Sequence, residues 1–367
     1  MLTLCRRLRP LLLSLLFPLA IANVACAQGT TAAKAAIATQ GTSSLKGASA
    51  QDGSATQAAY REQQTTSTVF MVSPDDFGFN VETAASNAFQ DKSADIANAQ
   101  QQARREFDAT VERLRGAGIR VIVLPSRKDV RTPDAVFPNN WFSLHEMEGG
   151  KRLLVGYPML APNRRAERRL DELQTQLAAD GLRVDRVIDL SAFEQQGRFL
   201  EGTGSMVLDR ANRIAYASLS PRTDAAVLEE FGGRLQYRPV SFRSYDSGGA
   251  LVYHTNVMMS VGSRFAVICA ESIRDVHERT AVMDALRRSG KEVITITLAQ
   301  MAKMCGNILE LRTARGPVIV MSQTAYDNFT PEQRSELQRF GTLLAVPIHT
   351  IEAIGGGSAR CMLGEVF

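Results

Sequence analysis

Five amphipathic helical patterns, each followed by a short apolar run, divide most of this 367-residue chain into units of similar length. The patterns begin near Lys92, Asn163, Pro221, Ser272 and Pro331, so their starts lie 71, 58, 51 and 59 residues apart. The first is the clearest. Ile96, Ala99, Ala103, Phe107, Val111 and Leu114 recur at spacings of three and four, which is one face of a helix. The apolar runs after the helices cover residues 119–124, 184–190, 235–242, 293–298 and 343–348. Further strand-like runs lie at 153–157, 205–208, 214–216, 251–253, 265–269, 308–311 and 318–321. A unit repeated at a nearly fixed period buries its apolar face only against its neighbours. Two or three strands and one helix per unit therefore predict an α/β class and a five-bladed α/β propeller of β-β-α-β units with outer helices. An open doubly wound sheet would also alternate strands and helices, but no Gly-rich phosphate loop supports it.

The N-terminus reads differently. Arg6, Arg7 and Arg9 precede an apolar run at 11–22, and Ala25-Cys26-Ala27 fits a small-residue cleavage site. Residues 1–27 are expected to be a cleaved export signal, giving a periplasmic or secreted protein. Cys26 also fits a lipoprotein, although Asn23 sits where an aliphatic residue belongs. Residues 28–67 are rich in Gln, Thr, Ala, Ser and Gly and poor in large apolar side chains. They are expected to be a disordered leader, with one catalytic domain over 68–367. Without Arg6, Arg7 and Arg9 the chain carries 39 basic against 38 acidic residues. Neither that balance nor one Trp calls for a nucleic-acid partner. No stable membrane association is expected after signal removal. Homo-oligomerisation is left open. Cys269, Cys305 and Cys361 remain after export, an odd number with no CxxC or Cys/His spacing for a metal. No metal and no cofactor are expected.

Chemistry-bearing residues recur at one place in each unit. Counted from the start of the post-helix run, Asn140 lies 21 residues on, Glu201 17, His254 19 and Cys361 18. In the fourth unit Cys305 and Asn307 lie 12 and 14 on. Equivalent positions of a radial repeat meet at one end of the axis. A Cys, a His, a Glu and one or more Asn would then share one site, the ingredients of thiol nucleophilic catalysis. Cys305 is the rival nucleophile.

The segments Phe137-Pro-Asn-Asn-Trp141, Leu200-Glu-Gly-Thr-Gly204, Tyr253-His-Thr-Asn-Val-Met-Met259, Cys305-Gly-Asn-Ile-Leu-Glu-Leu311 and Gly355-Gly-Gly-Ser-Ala-Arg-Cys-Met362 carry a resemblance. In this order, over 68–367, the chain resembles the amidinotransferase (pentein) superfamily, in its arginine-deiminase-related branch of citrulline hydrolases. The resemblance implies a five-bladed α/β propeller with a Cys-His-Glu site on its axis. It implies Cys361 as nucleophile on a ureido or guanidino carbon, and His254 as general acid and base. It implies Glu201 as the carboxylate that pairs with His254 and favours its protonated form. Arg222, in Ser220-Pro-Arg-Thr223, matches the position that clamps the substrate carboxylate, with Arg164 or Arg165 as a second contact.

Deiminases of this superfamily set two aspartates against the guanidinium. This chain has Asn139-Asn140 at the first place and Asn256 at the second. A guanidinium offers only donors and a charge, whereas a ureido group is neutral and offers a carbonyl as well, which an amide suits. The substitution points to a ureido amino acid, citrulline, cut to ornithine, ammonia and carbon dioxide. Two alternatives stand beside it. One is a guanidino-modifying enzyme of the same fold: an arginine deiminase, a dimethylarginine hydrolase or an amidinotransferase. The other is a non-enzymatic propeller.

Overall fold

The computed structural model describes residues 61–91 and 98–367. The expected export signal, the leader up to residue 60 and the helix start at Lys92 lie outside these residues. The fivefold repeat forms five sheets of three strands each. The first contains β1 (Thr68–Val72) and β2 (Arg120–Leu124), joined through helix α1 (Ala99–Gly116). The second has β3 (Phe142–Met147), β4 (Lys151–Gly156), α2 (Leu170–Ala179) and β5 (Arg186–Asp189). The third has β6 (Val207–Asp209), β7 (Ile214–Ser218), α3 (Ala225–Leu235) and β8 (Arg238–Phe242). The fourth has β9 (Met259–Val261), β10 (Phe265–Ile268), α4 (Val276–Arg288) and β11 (Glu292–Thr295). The fifth has β12 (Leu309–Thr313), β13 (Gly316–Ser322), α5 (Pro331–Gln338) and β14 (Thr342–Val346).

In every sheet the middle strand pairs antiparallel with the inner one and parallel with the outer one. The parallel pairing needs a crossover, and the helix supplies it. The first sheet lacks an inner strand of its own. β15 (Gly364–Val366), from the end of the chain, fills the place, with Thr68 opposite Val366 and Phe70 opposite Gly364. The propeller is thereby closed. The inner strands β15 and β3, β6 and β9, and β9 and β12 contact one another in pairs.

The helices form where the sequence caps them. Asp224 and Asp275 accept the first backbone N–H groups of α3 and α4, and Thr330 with Gln333 makes a capping box for α5. These caps set the starts of α3 and α4 a few residues beyond Pro221 and Ser272. The predicted stripe of α1 is buried at Ala99, Ala103, Phe107, Val111 and Leu114. Residues 251–253 are not a strand. They make one isolated bridge, Tyr245 with Leu251, and lead into the short helix Thr255–Met258. The inner strand of that sheet is β9 instead.

Residues 61–67, expected in the leader, are part of the body. Glu62 is 2% exposed. It accepts from Arg210 at 2.8 Å and Tyr237 at 2.6 Å and contacts His145 at 3.1 Å. Gln64 donates to the carbonyls of Leu208 and Val261. The polar composition that resembles a solvated tail supplies partners for buried charge. Burial works to raise the Glu62 carboxyl, but His145, Arg210 and Tyr237 outweigh it and hold it at about 2. A carboxyl lowered on folding stabilises above its ordinary 4.5, and that contribution is lost as the pH falls toward 2. Glu62→Ala should cost about 1.5–3 kcal/mol, because it removes the nearer of two carboxylates from buried Arg210, leaving Glu365 at 3.5 Å, and takes the acceptor from Tyr237. Urea unfolding at pH 7 measures it, and a loss below about 1 kcal/mol would contradict the pairing.

Candidate active site

The site is assembled from the segment just ahead of each inner strand. The turn Pro138–Asn140 precedes β3, Glu201 opens the short helix Gly202–Ser205 before β6, and His254 opens Thr255–Met258 before β9. Asn307 precedes β12, and Cys361 lies in the turn Ala359–Met362 before β15. Equal placement in five units is what brings them together. Cys361, His254, Arg222, Arg164 and Asn140 line one tight cavity, with Asp134, Asn87, Phe137, Tyr253, Gly355 and Gly357.

His254 Nε2 lies 2.8 Å from Glu201 Oε2. The same oxygen is 3.5 Å from Arg222 Nη1 and 3.7 Å from Arg164 Nη1, while Oε1 accepts the Leu160 N–H at 3.0 Å. Burial alone would raise the Glu201 carboxyl, but Arg222, His254 and Arg164 hold it well below the usual range. An ionised Glu201 only accepts, so Nε2 carries the proton and Nδ1 is the free acceptor. Glu201 does favour protonated His254, but burial outweighs the carboxylate and pushes the ring down to about 4. The imidazole is neutral at pH 7, the state a general base needs.

Gly204 packs directly under this ring. A Cβ there would lie 2.3 Å from Asn140 Nδ2 and 2.7 Å from His254 Nδ1, so only glycine lets both side chains approach.

Arg164 donates to Glu167, to Asn140 Oδ1 at 2.9 Å and to the Phe137 carbonyl. Arg222 donates to Ser86 Oγ and the Thr83 carbonyl, and its guanidinium lies 5.0 Å from the centre of the Tyr253 ring. Arg165 leaves the site. It donates to the carbonyls of Met159 and Leu160 and faces Glu194, because adjacent residues of one helical turn point apart. Asn139 also turns away, onto Thr203 Oγ1 at 3.3 Å. Asn256 does not line the cavity; its Nδ2 lies 3.4 Å from Cys361 Sγ. Cys305 is remote from this chemistry. Its sulfur donates to the Ala325 carbonyl, and burial pushes its thiol up to about 12.

Asp134 was not singled out by sequence, and Asn307 was placed at this end of the axis without a role. Asn307 Nδ2 lies 3.3 Å from Cys361 Sγ; its offset in the fourth unit was the signal. Asp134 stands six residues before Asn140. Its Oδ2 accepts from Asn80 and Thr83 and is 3.8 Å from Arg164, whereas its buried Oδ1 has no partner among the described residues. Burial pushes its carboxyl up, against the pull of Arg164 and Asn80.

The His254 ring is expected to titrate near 4, followed by imidazole NMR shifts against pH. Glu201→Gln should lower that midpoint further, because the carboxylate opposes the effect of burial. A wild-type midpoint at or above 6.5 would contradict the neutral resting imidazole.

No curated protein matches by sequence. The solved N-terminal domain of ArgZ, covalently bound to a reaction intermediate, matches with a TM-score of 0.62 at 17% identity, over 82% of this chain and 97% of that one. In other structures the same protein is described as an arginine dihydrolase from the ornithine-ammonia cycle in cyanobacteria. AgrE with ornithine and NAD+ matches with a TM-score of 0.63 at 17% identity, over 82% of this chain and 39% of that one. A dimethylarginine dimethylaminohydrolase adduct with S-methyl-L-thiocitrulline matches with a TM-score of 0.54 at 13% identity, over 82% and 99%. These likenesses establish the pentein fold. A family model, N,N dimethylarginine dimethylhydrolase, eukaryotic, matches residues 73–367. The chain is a hydrolase of non-peptide C–N bonds and belongs to the N,N-dimethylarginine dimethylhydrolase family.

Proposed function

We propose that the protein takes an arginine-type guanidino amino acid and cuts its terminal C–N bonds through a covalent adduct on Cys361. The observation that carries this reading is Asp134. Its Oδ1 is buried without a partner among the described residues, and Asp134 lines the cavity that Cys361 lines. A buried carboxylate short of partners calls for a cation. A guanidinium supplies one, and the neutral ureido group of citrulline does not.

The ureido reading from the asparagines loses Asn139, which turns onto Thr203, and Asn256, whose amide is directed at Cys361 Sγ. Asn140 retains it. Its Nδ2 is buried without a partner among the described residues and suits a carbonyl oxygen. Both observations fit one site used twice, first on a guanidinium and then on a ureido-like stage. The family name and the arginine dihydrolase among the structural neighbours both point to guanidino amino acids.

In this reading neutral His254 takes the Cys361 proton, and Glu201 steadies the imidazolium that results. The sulfur attacks the guanidinium carbon, the C–S bond forms, and ammonia leaves with the proton from His254. Water, deprotonated by His254, adds to the same carbon. Loss of a second ammonia leaves a thiocarbamate, and a second water releases ornithine and carbon dioxide. Arginine and two waters thus give ornithine, two ammonia and carbon dioxide. Arg222 meets the substrate carboxylate. Arg164, with donors taken by Glu167, Phe137 and Asn140, orients Asn140 instead. The signal-like residues 1–27 add an exported location to the proposal.

Incubation with arginine should yield ornithine and ammonia in a ratio of one to two, and Cys361→Ala should lower turnover by about 10³ or more. Consumption of citrulline alone, or of a dimethylated arginine alone, would overturn this reading. Asp134→Asn should raise KM for arginine about tenfold or more, the worth of one charge-assisted contact. An unchanged KM would remove Asp134 from the cation site.

A further inference from the structure

We infer that Asn307 and Asn256 form a two-amide cradle that stabilises the thiolate of Cys361, with Asn307 a catalytic residue in contact with the reacting sulfur. From the proposed function this takes only Cys361 as nucleophile, and it reassigns Asn256 from the substrate to the sulfur. Asn307 Nδ2 lies 3.3 Å and Asn256 Nδ2 3.4 Å from Sγ. No other side chain hydrogen-bonds this sulfur among the described residues.

The orientation of an Asn amide is usually ambiguous, but the backbone decides it for Asn307. Its Oδ1 accepts the Arg360 N–H at 3.0 Å, and that group can only donate. Its Nδ2 donates to the Asn256 carbonyl at 2.9 Å, and that group can only accept. The second N–H of the same amide is left for the sulfur. Because Arg360 precedes Cys361, the amide holds the nucleophile's backbone and its side chain together. Gly306 makes the arrangement reachable. A Cβ at that position would lie 2.3 Å from the Val257 carbonyl, so glycine alone lets the two segments run this close.

Asn307 is fully buried, Asn256 1% exposed and Cys361 2%. In such surroundings neutral N–H donors act strongly on a charge. They favour S⁻ before attack. They favour it again when the adduct breaks and the electron pair of the C–S bond returns to sulfur. Neither donor carries a charge that would repel a cationic substrate.

The test is alkylation of Cys361 by iodoacetamide, resolved by peptide mass against pH, which requires no substrate. Its outcome is therefore independent of which amino acid is cut. Asn256→Ala removes one donor and keeps the backbone carbonyl that anchors Asn307. Asn307→Asp keeps the acceptor for Arg360 and replaces the donor. Each should slow alkylation at pH 7 about tenfold or more, with the loss shrinking as the pH rises. Thermal unfolding shows which variants are folded. Should Asn307→Asp not fold, Asn256→Ala decides alone. Wild-type pH profiles in the folded variants would overturn the cradle, as would an equal slowing at every pH, which reports access rather than ionisation.

Discussion

One carboxylate, Glu201, ties together side chains that reach it from three sheets. His254 comes from the segment before β9, Arg222 from the loop after β7 and Arg164 from the turn after β4. Its second oxygen takes a backbone N–H. A fully buried charge is tolerated only when its valences are filled, and here the filling groups are those that shape the cavity. Removing Glu201 would take from buried Arg222 its carboxylate, from Arg164 one of three, and from the imidazole its anchor. The shape of the site and the ionisation of its members are thus one constraint.

Pairing with a glutamate does not by itself set a histidine apart, because the described residues hold two such pairs. His145 meets Glu62 through Nδ1 and Ser143 through Nε2, so both ring nitrogens are occupied. It locks residues 61–67 onto the propeller. His254 gives one nitrogen to Glu201, and its ring lines a cavity. Burial lowers the proton affinity of both. The open nitrogen separates an anchor from a base.

Much of this was legible in the sequence. The helical period, the apolar runs and the similar offsets of Asn140, Glu201, His254 and Cys361 pointed to a radial repeat and to the groups at its end. The three-residue strands β9 and β15 were not visible, because such a strand is defined by its pairing partner rather than by its own pattern. Residues 61–67 looked solvated because composition cannot tell a polar group facing water from one facing Arg210. Asp134 looks like any turn aspartate until it is found lining the cavity with one buried oxygen lacking a partner among the described residues. Asn256 follows His254 by two residues, but the short helix that begins there carries its amide to the sulfur.

Closure of the ring has a consequence for how the protein comes into being. The pairing of β1 with β15 joins residues almost three hundred positions apart, a contact whose loop entropy is met only after the intervening sheets exist. Cys361 sits at the threshold of that last strand. While the chain is being synthesised, Glu201 and His254 emerge long before the thiol does. In the proposed function, a partly made propeller would hold its proton-handling pair without a nucleophile, and the covalent chemistry would become available only in the event that seals the ring of blades.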